Sequence, residues 1–277
     1  MISGKTTLIA HVGYPTESFK APLIYNPWFD SKGIDAVVVP MGVRTEDYPE
    51  FFGKLVRLSN IRGALVTMPH KVTTVGLLDE ASTAVKVAGS CNAVLVRDDG
   101  KIVGDMFDGA GFARGVKRKG FDVRGKSCLI SGTGGVGSAI AASLAADGVA
   151  RMALFDTNAP SVDGLAQRLR QYYPAMQVTT GSNDPAGLDL IVNATPLGMK
   201  PGDPLPFDVS RITKDTFVGE VVMKQEITPL LEAARRIGCR TQVGTDMLFE
   251  QIPAYLEFFG FGTTTADELR AVAKVSY

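Results

Sequence analysis

Histidine, cysteine and tryptophan are all scarce: the 277 residues hold two, three and one of them. His11 and His70 stand apart from each other and from any cysteine cluster, so a zinc site has almost no ligands to draw on and no metal is expected. Cys91, Cys128 and Cys239 are odd in number, widely spaced and set among apolar residues. That usage fits reduced, packing thiols rather than a disulfide framework, and a cytoplasmic location is expected from it. Net charge is missing too. Lysine plus arginine and aspartate plus glutamate each number 29, so no field draws nucleic acid or an anionic membrane surface. A small molecule is the expected partner, and the chain is expected as a monomer or homodimer. No membrane is expected either. Ser127 to Ala146 carry no charge over a length that could span a bilayer, but a Gly-Thr-Gly-Gly interruption and many small residues make a poor membrane helix. No basic region with an apolar run and cleavage site opens the chain. Gly4-Lys5-Thr6 resembles the end of a phosphate-binding P-loop without the strand and first glycine that such a loop needs.

What is present is enough apolar content, 45%, to bury a real core in two modest domains. The stretch that organises them is Ser127-Cys128-Leu129-Ile130-Ser131-Gly132-Thr133-Gly134-Gly135-Val136-Gly137, a short apolar run that breaks into glycines and then into a helix. Gly132 allows a tight turn, Gly134 lets the backbone approach a pyrophosphate, and the amides of the following helix face the anion. Met152 to Phe155 reads as the next buried strand and ends on Asp156, whose spacing and charge suit a ribose diol. The same pattern also fits a plain α/β crossover with an exposed aspartate.

From Leu8 to Gly104 apolar runs alternate with amphipathic stretches, an α/β layer. Leu8 to Val12, Ala36 to Val39 and Ala64 to Met68 read as strands; Pro22 to Phe29 and Tyr48 to Leu58 have helical spacing. Ser82 caps a short helix to Val87, and Cys91 to Val96 with Lys101 to Gly104 flank a hairpin turn at Asp98-Asp99-Gly100. Asp108 caps a helix from Gly109 to Lys119, stopped by Gly120. The second unit's strands are expected at Cys128 to Ser131, Met152 to Phe155, Gln177 to Thr179, Leu188 to Val192, Phe217 to Val222 and Thr241 to Val243, the layout of a doubly wound parallel sheet. Thr228-Pro229 opens a helix to Gly238 with Leu230, Leu231, Ala234 and Ile237 on its apolar face. Leu248 to Phe258 reads as helix, and Thr265-Ala266-Asp267-Glu268 is a capping box for the last one.

Chemistry-bearing residues gather where the first unit's strands end: Thr67-Met68-Pro69-His70-Lys71, Ser90-Cys91-Asn92 and Gly104-Asp105-Met106-Phe107-Asp108-Gly109. Joined in order by Gly132-Thr133-Gly134-Gly135, Asn193-Ala194-Thr195-Pro196-Leu197-Gly198-Met199, Thr228-Pro229-Leu230-Leu231 and Met247-Leu248-Phe249-Glu250-Gln251, they resemble the shikimate/quinate dehydrogenase family over nearly the whole chain. The resemblance implies an N-terminal α/β substrate domain, residues 1–104 completed by C-terminal helices in 245–277, and a Rossmann-type dinucleotide domain over 105–244. It implies Lys71 and Asp108 as the catalytic pair and Thr67, Asn92 and Gln251 as substrate contacts. The cofactor contacts it implies are Gly132, Thr133, Gly134, Gly135, Val136, Asp156, Thr195 and Met247. Removing hydride from a secondary alcohol needs a base for the hydroxyl proton, which a lysine partly desolvated beside a carboxylate can supply. A solvated surface ion pair is the bland alternative for the same two residues.

NAD is the preferred cofactor expected, since Asp156 would bond the ribose hydroxyls and repel a 2′-phosphate. The family's phosphate-binding members carry Asn-Arg-Thr where this chain reads Asp156-Thr157-Asn158; NADP stays open because Arg151 and Arg168 are near in sequence. The resemblance departs mainly at the N-terminal signature, which reads Gly13-Tyr14-Pro15-Thr16-Glu17-Ser18-Phe19-Lys20-Ala21-Pro22. Phe19 and Ala21 replace two serines expected to hold the substrate carboxylate, unless a one-residue slip puts Ser18 in place of one of them. Leu65 replaces an asparagine, Met106-Phe107 an Asn-Thr, Met223 a tyrosine and Asp246 a glycine. The reading is therefore an NAD(P)-dependent oxidoreductase of a cyclic polyol acid, of shikimate or quinate type. The alternatives are a relative acting on another hydroxy compound and a non-catalytic nucleotide or metabolite sensor.

Overall fold

The computed structural model describes residues 2–17 and 19–275. The chain folds into two compact units: one runs to Phe107 and resumes at Ile252, the other spans Asp108–Gln251.

Unit 1 holds β1 (Thr7–Gly13), α1 (Pro22–Lys32), β2 (Ala36–Gly42), α2 (Tyr48–Leu55), β3 (Ile61–Val66), α3 (Lys71–Val75), β4 (Glu80–Ala81), α4 (Thr83–Ala88), β5 (Ala93–Val96) and β6 (Ile102–Asp105). Its sheet runs β2-β1-β3-β5-β6-β4. The strands β2, β1 and β3 are parallel, and the hairpin β5-β6 is added antiparallel. The expected strand Ala64 to Met68 lies earlier, so Thr67 and Met68 leave the sheet and shape a loop. The helix from Tyr48 ends at Leu55 rather than Leu58. Ser82 accepts the Val85 amide at 3.2 Å and so caps α4, an interaction that contributes about 0.5–2 kcal/mol.

Unit 2 holds α5 (Asp108–Arg118), β7 (Ser127–Ser131), α6 (Gly135–Ala146), β8 (Arg151–Phe155), α7 (Ala159–Tyr172), β9 (Gln177–Thr180), β10 (Leu190–Asn193), β11 (Phe217–Glu220), α8 (Pro229–Ile237) and β12 (Arg240–Gln242). The sheet order β12-β11-β10-β7-β8-β9 is parallel throughout. In chain order these strands run 6-5-4-1-2-3, the doubly wound arrangement whose direction reverses between β7 and β10. Sheet strands covered on both faces must be apolar on both; Cys128, Leu129, Ile130, Leu190, Ile191 and Val192 are all fully buried. Leu230, Leu231 and Ala234 of α8 close one face against Leu129, Ile191 and Val218. Ile237, expected on that face, is 36% exposed.

Two further helices follow, α9 (Gly244–Phe259) and α10 (Ala266–Val272). The segment from Ile252 onward is stitched into unit 1. Arg62 Nε donates to the Phe259 carbonyl at 2.8 Å, Trp28 Nε1 to Thr264 Oγ1 at 3.0 Å, and the Lys274 amide to the Leu23 carbonyl at 2.8 Å. Among the described residues no helix is long and apolar enough to cross a membrane.

Candidate active site

In unit 1 the parallel strands β1 and β3 end side by side, and the residues just past their carboxyl ends form one cluster. Thr67 leaves β3 with its amide on the Val12 carbonyl at 2.9 Å. Lys71 is the first residue of α3, a helix that the sequence does not announce because its five residues include four β-branched ones, poor helix formers. The Lys71 carbonyl accepts from the Cys91 amide at 2.9 Å, which ties the start of α3 to the segment before β5.

Asn92 sits in that segment at 1% exposure. Its carbonyl accepts from the Val66 amide at 2.8 Å and Tyr255 Oη at 3.2 Å, and its Oδ1 from the Phe107 amide at 2.9 Å. Among the described residues its Nδ2 has no protein partner, nor does Ser90 Oγ. A buried polar atom left without a partner costs free energy, so such atoms mark where a ligand would repay it.

His11, at the end of β1, stacks on Phe19 with ring centroids 4.1 Å apart. Burial first, and then the nearby Lys71 ammonium, lower its imidazole from 6.5 to about 4. Phe19 also approaches Gly13: a Cβ built there would meet Thr67 Cγ2 at 2.4 Å and the Phe19 ring at 2.9 Å. Phe19, with the His11 imidazole stacked on it, thus adjoins Gly13 as Thr67 does, and it carries no hydroxyl where the family pattern has a serine. Ser18 lies outside the described residues. His70 packs flat on Tyr48 at 3.9 Å and binds the Val43 carbonyl through Nε2 at 2.8 Å. It stands immediately before Lys71 and fixes the start of α3 from below.

In unit 2 the glycine turn has the shape an anion needs. Gly132 adopts φ +97°, and a Cβ on it would lie 2.5 Å from the Ala194 carbonyl oxygen. Only glycine fits both demands. A Cβ on Gly137 would fall 1.9 Å from the Gly132 carbonyl oxygen, so the first turn of α6 presses on the loop. Gly134 precedes α6 in an extended conformation with nothing within 4 Å of a built Cβ. Open space there, ahead of the amides of Gly135 and Val136, is what a diphosphate would fill.

Asp156 follows β8 and turns back on this loop, accepting from the Thr133 amide at 2.7 Å and the Asn158 amide at 3.0 Å. Burial pushes its carboxyl up, but these hydrogen bonds outweigh it and hold the group below its ordinary value. Thr133 Oγ1 and Ser161 Oγ close the ring at 2.9 Å. Thr195, past β10, is pinned through its amide and hydroxyl to Asn193 Oδ1 at 3.0 and 2.6 Å.

Asp108, 6% exposed, begins α5, one residue earlier than the capping role expected of it. The next residue, Gly109, packs so closely on α6 that a Cβ would be 2.0 Å from the Ala139 carbonyl oxygen. Farther along α5, a Cβ built on Gly111 would meet the Met247 carbonyl oxygen and Gln251 Cβ of α9 at 2.5 and 2.7 Å. Small residues on α5 therefore let it approach α6 at Gly109 and the Met247–Gln251 stretch of α9 at Gly111. Gln251 is 9% exposed, and its Oε1 lacks a partner among the described residues. The departure at Asp246 makes an ion pair with Lys119 at 3.0 Å.

Many known proteins are similar to this chain. Residues 12–94 match the family described as the shikimate dehydrogenase substrate binding domain. The shikimate dehydrogenase (NADP(+)) of Rubrobacter xylanophilus is 33% identical over 254 residues, covering 90% of this chain and 89% of that protein. A quinate/shikimate dehydrogenase of Escherichia coli is 30% identical over 262 residues, 90% of each chain. The crystal structure of shikimate 5-dehydrogenase from Listeria monocytogenes, in complex with shikimate and NAD, matches with a TM-score of 0.91 at 27% identity, over 98% of this chain and 97% of its own.

Proposed function

The chain belongs to the shikimate/quinate dehydrogenase family, and on that premise we propose that it transfers hydride reversibly between a nicotinamide dinucleotide and a secondary alcohol of a cyclic polyol acid. The substrate pair is of the shikimate/3-dehydroshikimate or quinate/3-dehydroquinate type. The observation that carries this reading is the glycine turn of unit 2, open at Gly134 and flanked by a carboxylate anchored on the loop itself. The nicotinamide, when bound, accepts or returns the hydride. Lys71 takes the hydroxyl proton on oxidation and returns it on reduction, with Asp108 as the carboxylate that orients it. Thr67, Asn92 and Gln251 hold the ring: a hydroxyl both donates and accepts, so it can satisfy a donor such as Asn92 Nδ2 or an acceptor such as Gln251 Oε1. Gly132 to Val136, Thr195 and Met247 seat the dinucleotide. NAD is preferred because a 2′-phosphate would meet the Asp156 carboxylate.

A panel of ring alcohols assayed with NAD and with NADP, followed at the nicotinamide absorbance, tests the proposal. Turnover of shikimate or quinate with a higher kcat/KM for NAD supports it. Equal or better use of NADP removes the cofactor preference, and no turnover of any ring alcohol removes the dehydrogenase.

A second reading, a different hydroxy compound as substrate, is favoured by one observation: Phe19 lies on His11. A carboxylate leaving water must regain hydrogen bonds worth about 1.5–3 kcal/mol each, and neither Phe19 nor Ala21 carries a hydroxyl to donate them. Under this reading Phe19→Ser with Ala21→Ser raises kcat/KM on shikimate by roughly 10²- to 10⁴-fold. Wild-type activity equal to that of a dedicated shikimate dehydrogenase rules it out.

A further inference from the structure

The last residue of β11, Glu220, is fully buried, and the partners around its carboxylate are neutral donors. One oxygen accepts from the Val221 amide at 2.9 Å, the Val222 amide at 3.0 Å and Asn193 Nδ2 at 2.9 Å. The other accepts from Asn193 Nδ2 at 3.1 Å and Thr228 Oγ1 at 2.9 Å. Burial pushes the carboxyl above its ordinary value, and these bonds offset only part of that rise. Buried carboxylates are seldom kept for packing alone, since an apolar side chain packs with no desolvation cost. This one has no place in the hydride or proton transfer proposed above.

What it organises is the adjoining strand end. Asn193 Nδ2 also donates to the Leu197 carbonyl at 2.9 Å, so both acceptors lie on the same side of its amide. That leaves Oδ1 facing the opposite way, onto the Thr195 amide and hydroxyl. Thr195 Oγ1 in turn accepts from the Leu197 amide at 3.1 Å. Between them the Ala194 amide donates to the Ser131 carbonyl at 2.7 Å, and the Ala194 carbonyl presses against Gly132. The segment 193–197 is thereby set against the first glycine of the phosphate turn, at the carboxyl ends of β7 and β10 where doubly wound sheets bind dinucleotides.

We infer that Glu220 is a positioning residue for the dinucleotide: through Asn193 it orients Thr195 and holds the 193–197 segment against the glycine turn, and so sets cofactor affinity. The inference rests on the dinucleotide reading of unit 2. Its signature is directional, because the Glu220 to Asn193 bond needs an acceptor on one side and a donor on the other.

The test measures dissociation constants for NADH and NADPH by titration of nicotinamide fluorescence, with circular dichroism and Tm recorded for each variant. Glu220→Leu removes both carboxylate acceptors of Asn193 Nδ2 and is expected to weaken binding by roughly 10- to 100-fold in a folded protein. Glu220→Gln keeps a carbonyl oxygen that can accept from Asn193 Nδ2 and is expected to retain binding. Asn193→Ala, which leaves Thr195 without its acceptor, weakens it at least as much as Glu220→Leu. A glutamate that serves the fold alone would lower Tm and leave the affinity of the folded protein unchanged. Wild-type affinity in folded Glu220→Leu overturns the inference. If Glu220→Leu does not fold, Asn193→Ala is read in the same titration, where wild-type affinity again overturns it. Failure of the wild-type protein itself to bind NADH or NADPH removes the cofactor site, a result distinct from any variant comparison.

Discussion

Lys71, the proposed base, also bears on a neighbour's charge state. Lys71→Ala is expected to lower kcat by roughly 10²-fold or more, the usual loss when a general base is removed; near wild-type turnover on the best substrate defeats the assignment. The neighbour is His11, whose titration separates the folded from the unfolded chain. An unfolded histidine takes up its proton near 6.5, the folded one only near 4. Between those values the unfolded state holds more protons, so stability is lost as pH falls from about 6.5 towards 4, by about 3 kcal/mol in all. Burial lowers His70 as well, and it acts in the same direction. Since the sequence has two histidines, NMR of their ring protons can separate them: the His11 midpoint should lie near 4 and that of His70 below the ordinary histidine value. An ordinary midpoint for His11 contradicts its burial. The carboxylate Asp156 is visible in the sequence by its distance from the glycines. The roles of His11 and Glu220 are not, because they come from neighbours that only the folded strands bring close: Leu65 opposite His11, and Asn193 opposite Glu220.

At the scale of the element, the turn between β7 and α6 separates what a glycine does for the fold from what it does for a ligand. Gly132→Ala must place a Cβ at φ +97° and 2.5 Å from a backbone oxygen, and is expected to cost about 2 kcal/mol or more. Gly134→Ala meets nothing within 4 Å and keeps an allowed conformation. Its denaturation midpoint should match wild type while dinucleotide affinity falls; unchanged affinity in both variants would place the cofactor elsewhere. Elements of this kind are legible where the signal is local. Thr228 and Thr265 cap α8 and α10 through the Leu231 and Glu268 amides at 3.4 and 3.2 Å, as Thr-Pro and Thr-x-x-Glu predict. The helix α7, with Pro160 in its first turn and a cap from Asn158, buries Val162, Leu165, Ala166 and Leu169 at helical spacing, a local signal of the same kind. Strand β4, two residues long, carries no period to read. The order β2-β1-β3-β5-β6-β4 is equally out of reach, since neighbours in a sheet are chosen by long-range packing.

At the scale of the whole molecule, unit 1 is written in two pieces with unit 2 between them. A chain stopped after Gln251 is expected to keep the parallel sheet of unit 2 and a measurable affinity for NADH. It should lose the order of unit 1, where Asn92 would give up Tyr255 and Arg62 the Phe259 carbonyl. Hydrogen exchange resolved by segment checks this, and protection of β1 and β3 equal to that in the full chain would contradict it. During synthesis the consequence is one of timing. Domains fold as they emerge from the ribosome, so the inserted unit can complete itself while the first stretch of chain, made earlier, still waits with an open flank for the helices that close it. The part of the protein translated first is the last to be finished, and that waiting period is when a chaperone has most to hold.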